Sequence, residues 1–502
     1  MPKPMKIHFL PVIAGVVLTA CSADGVRPQL FPADGAVDVN PDTRLVLNFN
    51  SVPVVGDSGF VRVYDVETGL VVDSLDLSIP AGPTEPRKYG PDCDYTKVPY
   101  DYSRTKVPTN RDTRPGLPSG TAVADTSQWQ LTIIGGFTDG FHFHPILVRD
   151  STATICLHNN TLLPGKSYLV EIDPGVITVA DGSFGGLTDW QFTTRGELAV
   201  IPDTIRVSAD GSGDFNTVQG ALDFIPDFST RSYVVSVAPG DYEEIVYARN
   251  KTNVTIIGSG PDETRVHYAN NEVFNPHPLN VKTNEWPGTF PSRRAAFALD
   301  NCSDIVIRDI TIATDLKGQA EGLLLMGDRI ALYNVHIIGS GDALQANGTI
   351  YMEGCSLDGG GDTILGRGSL FAYRCDFRND GGPFTWVRNT AGNHGDIFVE
   401  CTFSTTGDRQ ADFGRTKTNH GTGYPDAEMV LIDCRTSNIR PEGWSTIGFP
   451  TARMLEYNTV DMATGKPVDV SRRHPYSRRI TDPSTVEYYR NPENILKGWK
   501  VK

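Results

Sequence analysis

Long apolar runs are almost absent from this chain of 502 residues. One stands out, Phe9 to Ala20, and it falls short of the roughly 20 residues that a helix needs to cross a bilayer. No other segment could span a membrane. Positive charge is also in short supply, since 45 Lys and Arg face 60 Asp and Glu for a formal charge of −15. That balance argues against nucleic acid as a partner. It also makes an acidic polymer an awkward ligand unless the binding cleft is locally neutral or basic. Cysteine is sparse, at 8 residues, and Cys355, Cys375, Cys401 and Cys434 are spaced by 20, 26 and 33 positions, which matches no zinc-site pattern. Cys93 and Cys156 stay open between a disulfide and two free thiols.

What the chain does contain is a recurrence. Tyr333-Asn-Val-His-Ile337, Glu353-Gly-Cys-Ser-Leu357, Tyr373-Arg-Cys-Asp-Phe377, Val399-Glu-Cys-Thr-Phe403 and Ile432-Asp-Cys-Arg-Thr436 are variants of one short segment. Each unit is too short to hold a helix and is rich in β-formers, so the recurrence predicts a right-handed parallel β-helix with one turn per unit. Stacked turns bury each other. The four cysteines fall at one equivalent inward position and read as a ladder of free thiols. Two Asp-bearing segments, Gly341-Asp342-Ala343-Leu344 and Gly361-Asp362-Thr363-Ile364, lie 20 residues apart, the local coil period. Asp342 is therefore expected one coil below Asp362, about 4.8 Å away along the stack.

At 502 residues the chain is expected to divide into two or three domains. Lys3 and Lys6 precede the apolar run, which leads into Leu18-Thr-Ala-Cys21. This resembles a bacterial lipoprotein signal over residues 1–21, implying cleavage before Cys21, lipidation of its thiol and a periplasmic or outer-membrane surface location. The alternative is an ordinary signal peptide with an incidental cysteine. Residues 26–195 alternate in short β-like runs such as Leu45-x-Leu47-x-Phe49 and Tyr168-x-Val170-x-Ile172, a β-sandwich pattern. Phe31 to Asn40 and Trp190-Gln-Phe-Thr-Thr194 resemble bacterial Ig-like domains. An insertion from about Pro80 to Pro145 reads as a long surface excursion, the alternative being a sugar-stacking platform of Tyr95, Tyr100, Tyr102 and Trp129.

Residues 203–502 carry an ordered set of motifs. Asp210-Gly-Ser-Gly-Asp-Phe215 opens it, with a capping helix expected at Ala221 to Ile225, and Pro239-Gly-Asp-Tyr-Glu-Glu244 follows. Then come Gly318-Gln-Ala320, the two Asp segments, Phe413-Gly-Arg415, Pro441-Glu-Gly-Trp444 and Ile495-Leu-Lys-Gly-Trp499. In order and spacing this region resembles the pectin methylesterase family. The resemblance implies an all-β catalytic domain, a parallel β-helix, that removes methyl esters from galacturonate in pectic polysaccharide without cofactor or metal, as a monomer. Residue by residue it implies that Asp362 is the nucleophile, Asp342 the general acid and then base, Arg415 the guanidinium holding the nucleophile, and Gln319 an oxyanion donor. Such chemistry needs one ionised carboxyl and one protonated, and close like charges push their pKa values apart.

Two departures bear on substrate placement. The family's Gln before the acid Asp is Gly341, and its Leu-Gly-Arg-Pro-Trp is Phe413-Gly-Arg-Thr-Lys417. Gln345, Lys417, Trp386, Arg388 and His420 are, by position, the candidates to take over substrate binding, and Gln restored at 341 is expected to raise turnover unless Gly341 makes room for a substrate branch. Two other classes stay open. A pectate lyase also uses a parallel β-helix, with acids holding Ca²⁺ and an Arg as base. A non-catalytic glycan-binding lipoprotein would bind without turnover.

Overall fold

The computed structural model describes residues 27–82, 129–135, 137–198, 200–275, 292–418 and 421–501. From Thr204 to Arg479 a single 23-stranded sheet winds in parallel register. The pairing follows the repeat: His336 lies beside Ser356, Ser356 beside Asp376, Asp376 beside Thr402 and Thr402 beside Arg435. Each of the last four partners follows a ladder cysteine, so Cys355, Cys375, Cys401 and Cys434 stack in the interior as free, buried thiols. Burial pushes the Cys434 thiol up to about 12, which keeps it protonated and unreactive. One row further on, Phe377 stacks on Phe403 with ring centroids 5.0 Å apart.

The residue before each ladder cysteine turns the corner between strands. Gly354, Arg374, Glu400 and Asp433 all have positive φ, between 52° and 62°. Only one of the four is glycine; the stack holds the others in a conformation that costs an L-residue about 1 kcal/mol or more. Two outer apolar patches are covered by other parts of the chain. The C-terminal helices α2 (Pro483–Arg490) and α3 (Pro492–Ile495) bury Val486, Tyr489, Ile495 and Leu496 against Phe371, Ile397 and Val430. At the N-terminal end helix α1 (Val218–Phe224), capped by Thr217, closes the interior. It begins three residues earlier than the pattern suggested, because Thr217 is the residue that supplies the cap.

Residues Gln29 to Thr194 form two main sheets, one of four strands and one of five, around a common core that includes Leu45, Val63, Tyr168, Val170 and Trp190. The expectation for Pro80 to Pro145 needs correction at its C-terminal end. Residues 129–145 are not a surface excursion: the strands Leu131–Ile134 and Phe137–His142 form a hairpin laid on the β-helix. Ile134 and the fully buried Phe141 are too apolar to stay in water and pack with Tyr247 and Phe274. Trp129 is half-buried, edge-on to His142, while Tyr95, Tyr100, Tyr102 and Cys93 lie outside the described residues. Cys156 is a free buried thiol. No helix among the described residues is long and apolar enough to cross a membrane.

Candidate active site

Two successive turns build the centre of the site. Leu344 pairs with Ile364 and Gln345 with Leu365, so the segments carrying Asp342 and Asp362 lie one coil apart at a separation of 20 residues. Backbone bonds lock the turns together, Gly360 N–H to Gly341 O at 3.0 Å and Asp362 N–H to Pro383 O at 2.7 Å. Asp362 is held at φ 55°, in the left-handed region that Asp tolerates better than most residues. The side chains of Asp342 and Asp362 are nearly buried, at 11% and 13% exposure.

Their surroundings differ. Asp362 meets Arg415 through two prongs, Nε donating to Oδ1 at 2.8 Å and Nη2 to Oδ2. Both oxygens accept, which is the hydrogen-bond pattern of a carboxylate. Asp342 shares one guanidinium with other acids: Arg294 Nη2 donates to Asp342 Oδ2 at 2.8 Å, Nε and Nη2 grip Glu321, and Nη1 reaches Glu272 at 2.7 Å. A single cation cannot neutralise three carboxylates. Burial, reinforced by the charges of Glu321 and Asp362 and only partly offset by Arg294, pushes Asp342 up to about 8. One carboxyl of the pair is thus held as a proton donor beside one held as an acceptor.

Gln319 is exposed, and its Oε1 accepts from Arg294 Nη1 at 3.1 Å, which leaves the amide Nε2–H groups to donate elsewhere. Gly341 sits at φ 77°, and a Cβ there would meet Gly318 O at 3.0 Å. A Gln at this position is therefore strained, which overturns the expectation that restoring it raises turnover. Trp386 lies beside Arg415 one coil on from Leu365, with the guanidinium carbons of Arg415 and Arg388 at 4.3 Å and 4.6 Å from its ring centroid. Its Nε1–H donates to the carbonyl of Lys417 at 3.0 Å, so Lys417 anchors the ring through backbone while its side chain is exposed. Gln345 and Arg388 are 2% and 5% exposed and offer little surface to a polymer. His420 lies outside the described residues.

Sequence reasoning missed Arg294, Glu321 and Glu272, whose charges set the state of Asp342. Arg294 is 48 residues upstream of the carboxyl it holds, in no recognisable motif. Glu321 directly follows Gly318-Gln-Ala320, and that proximity was the available signal. Charge is also distributed unlike the chain as a whole. Arg367 and Arg294 both bear electrostatically on Arg388, whose neighbour Trp386 also carries Arg415, so guanidiniums and carboxyls alternate around the site, with Arg294 and Arg415 paired to acids.

A parallel β-helix with an asymmetric carboxyl pair beside a guanidinium clamp is the framework of an ester hydrolase. The family model described as pectinesterase matches residues 204–477. The chain belongs to the pectinesterase family. Among relatives, it is 27% identical over 374 residues to Pectinesterase QRT1 of Arabidopsis thaliana, covering 68% of this chain and 91% of that one. It is 28% identical over 291 residues to Pectinesterase 31 of the same plant, covering 55% and 88%. A solved structure, a pectin methylesterase from carrot, superposes with a TM-score of 0.50 at 22% identity, covering 60% of this chain and 95% of that one, a likeness of fold.

Proposed function

We propose that this chain hydrolyses methyl esters of galacturonate in pectin, with Asp362 as nucleophile and Asp342 as acid and then base. The observation that carries the assignment is the unequal pair: Asp342 held up by burial and neighbouring acids, Asp362 gripped at both oxygens by Arg415. Asp362 Oδ attacks the ester carbonyl carbon, and the tetrahedral oxyanion is met by the amide of Gln319. Collapse breaks the bond to the methoxy oxygen as Asp342 gives it a proton, releasing methanol and leaving an acyl–Asp362 anhydride. Asp342, now a carboxylate, takes a proton from water; the hydroxide attacks the galacturonyl carbonyl and frees Asp362. The half-buried face of Trp386 supplies the sugar-stacking surface that the family's tryptophan supplies two residues after the arginine. A lyase reading has no comparable support, since the family model that matches residues 204–477 is that of pectinesterase.

Methanol release from a panel of methyl-esterified pectic polymers and oligomers tests the reading. Methanol without unsaturated product is expected; an unsaturated product that depends on Ca²⁺, or binding without turnover, contradicts it. For location, the support is Leu18-Thr-Ala-Cys21, which lies outside the described residues. The mature protein is a lipoprotein anchored through Cys21 and facing the periplasm or the outer surface. Cys21→Ser should move it from the membrane fraction to the soluble one; an unchanged fraction contradicts the anchor. The Ig-like reading of residues 26–195 makes that domain a spacer between anchor and enzyme.

A further inference from the structure

The hairpin of Leu131–Ile134 and Phe137–His142 belongs to the N-terminal region, yet its last residue reaches the segment that helps to hold the acid of the site. His142 is the joint. Its N–H donates to Asn275 Oδ1 at 2.8 Å, and Asn275 Nδ2 donates back to the His142 carbonyl at 3.2 Å and to Asn270 Oδ1 at 2.9 Å. The Asn275 amide thus pairs with the hairpin as a neighbouring strand would. The His142 ring adds a further bond: Nδ1 lies 2.6 Å from the Phe274 carbonyl, which only accepts, so the proton sits on Nδ1. Burial and the charge of Arg293 push His142 down to about 3, which keeps this donor a neutral imidazole at neutral pH. Phe274 is fully buried with its ring stacked on His144 at 4.8 Å, and Arg293 donates to the Gly140 carbonyl of the same hairpin.

The other side of this segment meets the site. Glu272 N–H donates to the Gln319 carbonyl at 2.9 Å, and Asn271 Nδ2 to the Lys317 carbonyl at 2.9 Å. Glu272 Oε2 accepts from Arg294 Nη1 at 2.7 Å; the same Nη1 reaches Gln319 Oε1 at 3.1 Å, and Nη2 of that guanidinium holds Asp342. Residues 270–275 therefore carry the hairpin on one side and the partners of Asp342 on the other. Resting on the pectin esterase reading of the site, we infer that the N-terminal hairpin is a working part of the enzyme: His142 and Asn275 are positioning residues that seat Glu272, so that Arg294 is shared between acids and the Gln319 amide is aimed at the scissile ester. The β-helix does not arrange its catalytic acid alone.

With Glu272 unseated, Arg294 has one acid fewer to serve and a nearby negative charge withdraws. Both effects favour the Asp342 carboxylate, against burial, Glu321 and Asp362, with Arg388 the other cation in reach. His142→Ala, assayed in the full chain for methanol release from methyl-esterified polygalacturonate, should lower kcat about 10-fold with KM little changed, and move the alkaline limb of kcat to lower pH by about 0.5 to 1 unit. His142→Asn puts an amide donor in the place of Nδ1 and should restore both. Glu272→Gln should move the limb as His142→Ala does, and the double variant no further than either alone, because the two act through one contact. A lower kcat with the limb in place is what a smaller folded fraction gives and overturns the proposal; so do limb shifts that add in the double variant. Should His142→Ala not fold, Asn275→Ser takes its place, with the same expected and contrary results. If wild type releases no methanol, the esterase reading is what fails, and hydrogen exchange decides the role of the hairpin: the Glu272 amide, bonded to Gln319, should exchange about 10-fold faster in His142→Ala, and an unchanged rate overturns the proposal.

Discussion

At the scale of single residues, the site depends on two aspartates of the same type being made different by what surrounds them. Asp362 has one cation to itself, while Asp342 competes with Glu321 and Glu272 for Arg294. The sign of the pH dependence follows. In the proposed mechanism Asp342 gives methanol its proton, so turnover should fall as pH rises through about 8. Folding stability carries the same sign at this position, because a carboxyl with a raised folded pKa contributes most below its unfolded value near 3.8 and loses that contribution as pH climbs towards 8. Glu321→Gln removes a charge that pushes Asp342 up and frees Arg294 to pull it down. The alkaline limb of kcat is expected to move to lower pH by about 1 to 2 units, and a limb that stays in place would break the link between Asp342 and that limb. Asp342, Asp362 and Arg415 were legible in the sequence because they fall on the coil period and in a short motif. Arg294 was not, since its partner comes from 48 residues away and coils of unequal length hide the register.

The coil corner is the element on which the stack depends. Its left-handed residue is Gly354 in one turn and Arg374, Glu400 or Asp433 in the next three, so no residue type marks it and only its place before the cysteine does. The strand register was legible from apolar alternation, whereas the corner was not, because stacking rather than local preference enforces it. A Cβ at Gly354 meets no atom within 4 Å, so a substitution there reports backbone strain alone. Gly354→Val should cost about 1 to 2 kcal/mol in urea unfolding and Gly354→Asn much less, since Asn tolerates positive φ and a β-branched residue does not. Equal costs would show that space, not φ, governs the corner. The hairpin of residues 129–145 teaches the converse: turn-rich composition suggested a loose excursion, and a few apolar residues on the far side of it found a surface to cover.

Across the whole molecule, the sandwich is fastened to the end of the β-helix at helix α1. Asp42 accepts from Asn216 N–H, from Thr217 N–H at 2.8 Å and from Thr217 Oγ1 at 2.7 Å, while Thr217 itself caps the helix by accepting from Gly220 N–H. Asn40 adds a bond to Asn216 at 2.7 Å, and Asn159 one to Asp223 at 3.0 Å. None of this was legible, because contacts between domains have no sequence period. Asp42→Ala should lower stability by roughly 2 kcal/mol, the cost of leaving the N–H groups of Asn216 and Thr217 and the Thr217 hydroxyl without their acceptor, with the loss seen in the β-helix transition. A transition at the wild-type temperature would mean that the two units stand independently.

The pairing of Asp342 with Asp362 is the centre of the account, and methanol release by Asp362→Ala tests it most directly. The variant should keep the circular dichroism of the wild type, because among the described residues the only side-chain hydrogen bonds of Asp362 are those with Arg415. On methyl-esterified polygalacturonate its turnover should fall to background. Methanol release near the wild-type rate from a folded Asp362→Ala would contradict the mechanism.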